Sequence, residues 1–351
     1  MILKNHQLIF VFLLSLLMTA TSCQGQGMID KVTLAHRNLK LNGASYFIKG
    51  ICYHPVPRGK TKRDFGSLDQ DLKLMNEAGI NTIRVYEPIA QRSVLDKIHQ
   101  AGLKVIMGFG YNQEGYYDLQ SGSYLDYVKE FKDHNAILFW ELGNEYNYHP
   151  EWFDGDIGNW YQTLNNAAQA IHSIDSNHPV STAHGDVPDD QALSAAQDLD
   201  LWGLNVYRWD EPESAIEQWK ASSDKAFYLS EAGADSYMKI AKHGFAQGEN
   251  QRAQAVANGR IISKVLRPES ESSGIVIFSF ADGLWKAGDP SQQDVGGWAP
   301  ESSGVPYDGT ANEEYWGIVD IDRNKKETFA LIKVLFHQPD PVQVQSDHHH
   351  E

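Results

Sequence analysis

Short apolar segments alternate with amphipathic segments along the chain after residue 30, and this alternation restricts the fold more than any other feature. Eight segments resemble buried strands: 50–53, 80–86, 103–108, 137–142, 178–182, 199–206, 226–230 and 275–280. Helical periodicity occurs over 68–78, 92–101, 124–132, 159–174, 251–266 and 326–336. Because parallel strands need helical crossovers, we predict an α/β fold, a single-domain (β/α)8 TIM barrel over residues 31–340. The alternation also permits a doubly wound open sheet.

A short β-hairpin is predicted before the first barrel strand. Asn42 and Gly43 separate the apolar segments 39–41 and 46–48. An Asn-Gly pair between two such segments is typical of a two-residue type I′ turn. The second arm of the hairpin leads directly into the first barrel strand.

Polar and aromatic residues follow the predicted strands. In strand order they are Tyr53 and His54, then Arg84, Tyr86 and Glu87, Tyr111, Asn144 and Glu145, His184, Asn205 and Tyr207, Glu231, and Trp285. The carboxyl ends of barrel strands all meet at one face, where the sites of such barrels lie. Packing alone would not place polar groups after apolar strands, so we predict a functional site at this face.

Two of these residues, Glu145 and Glu231, suit glycosidic bond cleavage. They follow the fourth and seventh strands, on roughly opposite sides of an eight-stranded ring, so their side chains can converge over its mouth. Such cleavage uses one carboxyl group to protonate the leaving oxygen and another to attack the anomeric carbon or activate water. The two groups stand about 5–5.5 Å apart in retaining enzymes and about 6.5–9.5 Å apart in inverting ones.

The sequence around both glutamates resembles clan A glycoside hydrolases. Leu142, Gly143, Asn144 and Glu145 are similar to the Asn-Glu motif after the fourth strand of that clan, and 229–233 resembles its seventh-strand motif. The segments 47–50 and 78–86 are similar to family 72 β-1,3-glucanosyltransferases, to family 17 β-1,3-glucanases and, more loosely, to the family 2 catalytic barrel. The resemblance covers about residues 45–335. Family 72 enzymes usually carry several disulfides, whereas this chain has only two cysteines.

The resemblance implies a retaining mechanism and a role for each matched residue. Glu145 corresponds to the acid/base and Glu231 to the nucleophile. Asn144 corresponds to the residue that hydrogen-bonds the sugar 2-hydroxyl, and Arg84 to the arginine that keeps the nucleophile ionised. Two aromatic residues complete the set: Tyr207 corresponds to the tyrosine that donates to the nucleophile, and Trp285 to the platform under the sugar.

Further strand-end residues are expected to bind substrate: Tyr53, His54, Glu87, Tyr111 and His184. The long insertion from Asp282 to about Thr310 is expected to wall one end of the cleft, because loops of this length in compact domains are usually functional. A surface loop with its own small apolar plug is the alternative for that insertion.

Charge restricts the partner. The formal net charge of -16 disfavours nucleic acid and, more weakly, polyanionic polysaccharides, so a neutral oligo- or polysaccharide is expected. The aromatic content of 11% suits sugar stacking, although a core explains it equally well. No metal-ligand spacing is present, and we expect neither a metal nor another cofactor.

The N-terminus is typical of a targeting segment. A lysine precedes the apolar stretch 8–18, which is too short to span a bilayer and resembles the core of a signal peptide over 1–22. Cys23 follows small residues, as at a bacterial lipoprotein cleavage site, and residues 23–30 would form a tether. We therefore expect an extracytoplasmic, lipid-anchored protein, with secretion after ordinary cleavage as the alternative. Residues 341–351 are expected to form a disordered tail.

Sequence alone leaves several functions open. Hydrolysis or transglycosylation of a β-1,3-glucan is favoured by segment 78–86. The alternatives are the same chemistry on β-mannan, β-galactan or β-1,2-glucan, and a catalytically inactive surface lipoprotein that binds glycans. The oligomeric state is not fixed by the sequence.

Overall fold

The computed structural model describes residues 28–111, 117–299 and 307–341. Within them, eight parallel strands close into a barrel in the order β7-β8-β1-β2-β3-β4-β5-β6. The strands are β1 Ile48–Cys52, β2 Thr82–Val85, β3 Lys104–Phe109, β4 Ile137–Asn144, β5 Val180–Gly185, β6 Leu201–Asn205, β7 Ala226–Ala232 and β8 Gly274–Ile277. The predicted (β/α)8 barrel is thus confirmed, and the open sheet is excluded because β8 pairs with β1.

Helices cover the outside of the barrel. They are α1 Leu68–Ala78, α2 Arg92–Gln100, α3 Tyr124–Phe131, α4 Ile157–His172, α5 Asp190–Ala195, α6 Glu213–Ser222, α7 Gln251–Val265 and α8 Glu327–Phe336. In α1 the buried residues Leu68, Leu72 and Met75 recur at helical spacing, and the helix ends at Gly79, whose φ of 79° suits glycine. Neither α5 nor α6 is among the helical segments predicted from the sequence.

A three-stranded antiparallel sheet precedes the barrel, formed by Val32–Ala35, Asn38–Leu41 and Ala44–Ser45. The predicted hairpin is present: Asn42 and Gly43 have φ of 52° and 84°, as a type I′ turn requires, and join two paired strands. Its second arm is shorter than expected. Val32 and Leu39 pack in one apolar cluster with Ile48 and Leu201, which begin barrel strands. The sheet therefore covers the amino-terminal end of the barrel, opposite the strand ends that carry the polar residues.

Buried ion pairs tie the helices to the barrel. Asp71 of α1 accepts two hydrogen bonds from Arg323, at 2.9 and 3.0 Å, and one from the hydroxyl of Tyr53 at 2.8 Å. Lys326, just before α8, donates to Asp282 across 2.6 Å. Because these charges are buried and paired, they fix the segments after β8 in register with the rest of the barrel.

The predicted signal peptide, Cys23 and most of the tether lie outside the described residues, as does nearly all of the predicted tail. Among the residues that are described, no helix has the length and apolar character that a membrane span requires.

Candidate active site

A cleft of about 930 Å³ lies at the carboxyl ends of the strands. Eight of the residues predicted for the site line it: Tyr53, His54, Glu87, Asn144, Glu145, Tyr207, Glu231 and Trp285. Arg84 is fully buried beneath the cleft floor. The strand ends thus bring together side chains that are far apart in the sequence, as the barrel predicts.

Glu231, in β7, accepts three hydrogen bonds. Its Oε1 accepts from Arg84 Nη1 at 2.7 Å and from the hydroxyl of Tyr86 at 2.6 Å, and its Oε2 accepts from the hydroxyl of Tyr207 at 2.8 Å. Bonds from a guanidinium and two phenols stabilise a carboxylate. The donor role that the resemblance implies for Tyr207 agrees with this geometry, and Tyr86 is a second phenol of the same kind.

Arg84 connects Glu231 to other side chains. Its Nε donates to Glu141 Oε1 at 2.7 Å, and its Nη2 donates to Asn144 Oδ1, also at 2.7 Å. Burial disfavours the charged guanidinium, but the carboxylate of Glu141 and other nearby groups raise the pKa of Arg84 well above its usual value. Its Nη1 also donates to Sγ of Cys52 at 3.8 Å, so the arginine is a fixed cation whose donors are shared among four side chains.

Glu145 follows β4 in a left-handed backbone conformation, with φ of 57°, and its N–H donates to the carbonyl of Ala183 at 2.8 Å. Its Oε1 accepts one side-chain hydrogen bond, from Asn205 Nδ2 at 3.0 Å. Burial and then the charge of Glu231 raise the pKa of Glu145 to about 7, against the hydrogen bond from Asn205, which lowers it. A substantial fraction of this carboxyl group is therefore protonated near neutral pH.

The amide of Asn144 is oriented by its neighbours. Its Oδ1 accepts from Arg84 Nη2 and, at 3.1 Å, from Asn205 Nδ2. Two donors at the oxygen direct the Nδ2 group of Asn144 away from them. Since Asn144 lines the cleft, that amine is available to a substrate hydroxyl.

His54 and Trp285 form the wall after β1 and β8, with ring centroids 5.1 Å apart. Burial, with the charges of Arg63 and Lys286, lowers the pKa of His54 to about 4, so the ring is neutral at physiological pH. Tyr53 lines the cleft, but its hydroxyl donates a hydrogen bond to Asp71, away from the substrate. Glu87 is exposed at the rim.

Two predicted substrate contacts lie elsewhere. The ring of His184 is buried outside the cleft, with Nε2 3.2 Å from the hydroxyl of Tyr161 and Nδ1 3.1 Å from the carbonyl of Asp186. Tyr111 packs on Phe153 and does not line the cleft. In both cases the strand end was correctly placed, but the side chain turns toward the surrounding helices and loops. The prediction that these two residues bind substrate is therefore corrected.

The insertion after β8 contributes to the cleft, as expected. Trp298–Ala299 pairs with Ala311–Asn312, while residues 300–306 are outside the described structure. Ala299, Glu313 and Trp316 line the cleft. The ring of Trp316 contacts the ring of Tyr207 edge-on, with centroids 5.4 Å apart, and so continues the wall of the cleft beyond Glu231.

Several residues of the site carried no role in the sequence analysis. Tyr86 and Asn205 stood at strand ends but were not assigned, and Glu141 inside β4 was not considered. Lys286, next to Trp285, lines the cleft and pairs with Glu313 at 3.1 Å. No group of three or more His, Cys, Asp or Glu side chains that could hold a metal ion occurs in the described ranges.

Comparison with known proteins identifies the fold. No protein-family model matches the sequence, and no curated protein matches it. A GH2 β-galacturonidase from Eisenbergiella tayi bound to galacturonate is similar in structure, with a TM-score of 0.66 at 20% identity over 88% of this chain and 54% of that one. The β-glucuronidase of Bacteroides uniformis gives 0.66 at 16% identity over 88% and 37%, and that of Faecalibacterium prausnitzii gives 0.65 at 19% identity over 88% and 51%.

The chain therefore spans about half the length of these proteins, or less. At such identities the likeness shows a shared fold, the barrel of family 2 enzymes. The Eisenbergiella tayi protein is named as a GH2 enzyme, and family 2 is one of the families that the sequence motifs resemble.

Proposed function

We propose that this protein is a retaining glycoside hydrolase of neutral β-linked glycans, with Glu145 as acid/base and Glu231 as nucleophile. The observation that carries the proposal is the contrast between two carboxyl groups in one cleft. Glu231 accepts hydrogen bonds from a guanidinium and two phenols, whereas Glu145 accepts one from an amide and has its pKa raised to about 7. Paired carboxyl groups with opposite surroundings are typical of an acid and a nucleophile.

The proposed reaction has two steps. In the first, Glu231 attacks the anomeric carbon, the glycosidic bond breaks, and the proton of Glu145 passes to the leaving oxygen. Among the described residues, Oε2 of Glu231 accepts one hydrogen bond and Oε1 accepts two, so Oε2 has the freer lone pair and is the attacking atom. In the second step Glu145 takes a proton from water, which attacks the anomeric carbon and releases Glu231.

Asn144 is proposed to bind the 2-hydroxyl of the sugar at the cleavage point. The orientation of its amide supports this role, because Arg84 and Asn205 both donate to its oxygen and so leave its NH2 group for the substrate. A bond at that hydroxyl gains strength as positive charge develops on the sugar ring.

The charges of the cleft favour a neutral sugar. Its ionisable lining groups include the acids Glu87, Asp186 and Glu313 besides the catalytic pair, whereas Lys286 is paired with Glu313 and His54 is neutral. A uronic acid, the ligand named for the Eisenbergiella tayi structure, needs an unpaired cation to balance its carboxylate. Within the described lining we find none.

The linkage is the finer part of the proposal. We take β-1,3-glucan as the first substrate to test, because segment 78–86 resembles enzymes that act on it, and β-mannan, β-galactan and β-1,2-glucan as the alternatives. The sizes of the products formed from these polymers would show whether water or a second sugar accepts the glycosyl group.

A glycan panel tests the function. Wild-type protein, Glu145→Gln and Glu231→Gln would be incubated with the four polymers and with aryl β-glucosides and β-glucuronides, and the first-formed anomer followed by NMR. We expect turnover of a neutral substrate with retention, lost in both variants. Initial release of the inverted anomer would reject the nucleophile assignment, and binding without turnover would identify a glycan-binding protein instead.

We further propose that the protein is extracytoplasmic and anchored to a bacterial membrane through a lipid on Cys23. The support is the apolar stretch 8–18 followed by small residues and cysteine. Expression in a bacterium fed a radiolabelled fatty acid tests this. Label in the wild type and none in Cys23→Ala is expected, whereas an unlabelled, secreted wild-type protein would show ordinary signal cleavage.

A further inference from the structure

Tyr148 is an exposed aromatic residue of the cleft. Among the described residues, two aromatic side chains remain at least half exposed: Tyr148 at 56% and Trp152 at 50%. Both lie in the segment after β4, but only Tyr148 lines the cleft. An exposed ring at the wall of a sugar-binding cleft offers a flat apolar face to a second sugar.

The ring of Tyr148 is held in place by β5. A Cβ atom added at Gly185 would stand 2.2 to 2.9 Å from the ring of Tyr148, so the ring rests directly on the glycine backbone. Beside it, Asn147 makes two hydrogen bonds to Gly185, accepting from its N–H at 2.8 Å and donating to its carbonyl at 3.1 Å. One face of the ring is therefore fixed against the barrel before any ligand binds, which reduces the entropy lost on binding.

Tyr148 lies next to the proposed acid and across the barrel mouth from Trp285. Tyr148, Glu145 and Asp186 all line the cleft, and burial, together with the charges of the two acids, raises the pKa of Tyr148 to about 12. Tyr148 and Asp186 follow β4 and β5, whereas His54 and Trp285 follow β1 and β8, on the other side of the ring. Two walls of the cleft therefore face each other across the barrel mouth.

Asp186 supplies the polar edge of the second wall. It lines the cleft, and both of its carboxylate oxygens accept from Arg208, with Nε at 2.9 Å from Oδ2 and Nη2 bonded to Oδ1. The N–H of Val187 also donates to Oδ1, at 2.6 Å, so three of the four acceptor positions of the carboxylate are occupied. Because these bonds fix the carboxylate, the remaining lone pair on Oδ2 has a set direction and can accept from a sugar hydroxyl.

We propose that Tyr148 and Asp186 form a subsite for the sugar ring on the leaving-group side, so that the preferred substrate carries a sugar, and not another alcohol, beyond the bond that is cleaved. The inference rests on the proposed function, because the acid Glu145 must protonate the leaving oxygen and so defines that side. It adds to that function the class of leaving group.

The test compares two substrates that share one glycosyl group. β-Glucosyl fluoride has a one-atom leaving group that cannot reach Tyr148, whereas laminaribiose, the β-1,3-linked glucose disaccharide, places a whole ring there. We expect Tyr148→Ala to lower the ratio of kcat/KM for laminaribiose to kcat/KM for the fluoride about tenfold, which corresponds to about 1.4 kcal/mol. Gly185→Ala should lower it similarly, because its methyl group displaces the ring while the tyrosine remains.

Trp152→Ala serves as the control. It removes an equally exposed aromatic residue outside the cleft, so it should leave the substrate ratio unchanged. An unchanged ratio in Tyr148→Ala, whether or not both kcat/KM values fall, would overturn the subsite while leaving the proposed function intact. Wild-type protein that hydrolyses neither substrate would reject the glucoside hydrolase proposal, and the subsite with it.

Discussion

Arg84 donates from Nη1 to Oε1 of Glu231 across 2.7 Å, and the same guanidinium donates from Nε to Glu141 across an equal distance. One buried cation therefore balances two carboxylates. Tyr228 donates to the second oxygen of Glu141, so each oxygen of this internal glutamate accepts one side-chain hydrogen bond. Glu141 is thus a positioning residue, which acts on the proposed nucleophile through the arginine.

Glu141→Gln should lower the rate through Arg84. Without the charge of Glu141, the guanidinium of Arg84 is no longer held between two carboxylates, and its hydrogen bond to Glu231 is less firmly positioned. We expect kcat to fall about tenfold or more, as for loss of a positioned charge, while KM changes little because Arg84 is fully buried. Asp69→Asn, which removes an exposed carboxylate in α1, is the control. A fall in kcat that is matched by a rise in KM would indicate a general disturbance of the cleft.

The catalytic pair can be distinguished by azide rescue. Glu145→Ala should lose about 10²–10⁴-fold in kcat/KM on laminaribiose, the usual contribution of a general acid. Azide should then restore turnover on an activated aryl glycoside and give a β-glycosyl azide, since Glu231 still forms the intermediate. Glu231→Ala with azide should give the α-product. The reverse pair of products, identified by NMR, would exchange the two assignments.

The proposed acid predicts an upper pH limit. Because Glu145 must be protonated and burial and Glu231 raise its pKa to about 7, kcat/KM should decline above about pH 7. The hydrogen bond from Asn205 lowers that pKa, so its removal in Asn205→Ala should raise the pKa and move the basic limb to higher pH. Asn76→Ala, an exposed residue of α1, should not move it. A basic limb in Asn205→Ala that stays fixed or moves downward contradicts this assignment of the acid.

Glu313 is expected to determine the response to charged sugars. In Glu313→Gln, Lys286 loses its partner at 3.1 Å and becomes an unpaired cation facing the cleft. The ratio of kcat/KM for aryl β-glucuronide to that for aryl β-glucoside should therefore rise about tenfold, the effect of one partly solvated charge pair. The double variant with Lys286→Met should return the ratio to the wild-type value. A wild-type preference for the glucuronide would itself contradict the neutral-sugar proposal.

The ion pair of Lys326 with Asp282 is expected to support the fold. Both side chains are almost fully buried and their charged atoms are 2.6 Å apart. Lys326→Met leaves a buried carboxylate without its cation, and should lower the free energy of unfolding by about 3–5 kcal/mol in urea titrations. Lys97→Met breaks an exposed pair with Asp69 and should change it by less than about 1 kcal/mol. Similar losses in both variants would show that burial does not decide the effect.

Much of the site followed from the position of residues at strand ends. Glu145, Glu231 and Asn144 were placed by the rule that barrel strands converge at one face, and the closed barrel makes this rule apply to every strand. Tyr111 and His184 also follow barrel strands, but their side chains do not line the cleft. A shift of one residue along a strand turns a side chain from the mouth toward the helices, and sequence alone does not fix that register.

Other parts of the site were not accessible to the sequence argument. Glu141 lies within an apolar strand, where its charge gives no indication that a buried arginine 57 positions earlier is its partner. The wall formed by Trp316 depends on how the long insertion folds back after β8. The ring of Tyr148, shortly after β4, packs against Gly185 at the end of β5. This contact is evident only in the assembled barrel.

The closeness of Glu231 to Glu145 has a consequence for the timing of proton transfer. The charge of Glu231 is one reason why Glu145 holds a proton before the reaction. In the proposed mechanism Glu231 carries no charge once it is esterified to the sugar, so the pKa of Glu145 falls and the proton that it donated is not regained. The free carboxylate would then be the base that the attacking water requires. The covalent state of one residue would thus set the protonation state of the other.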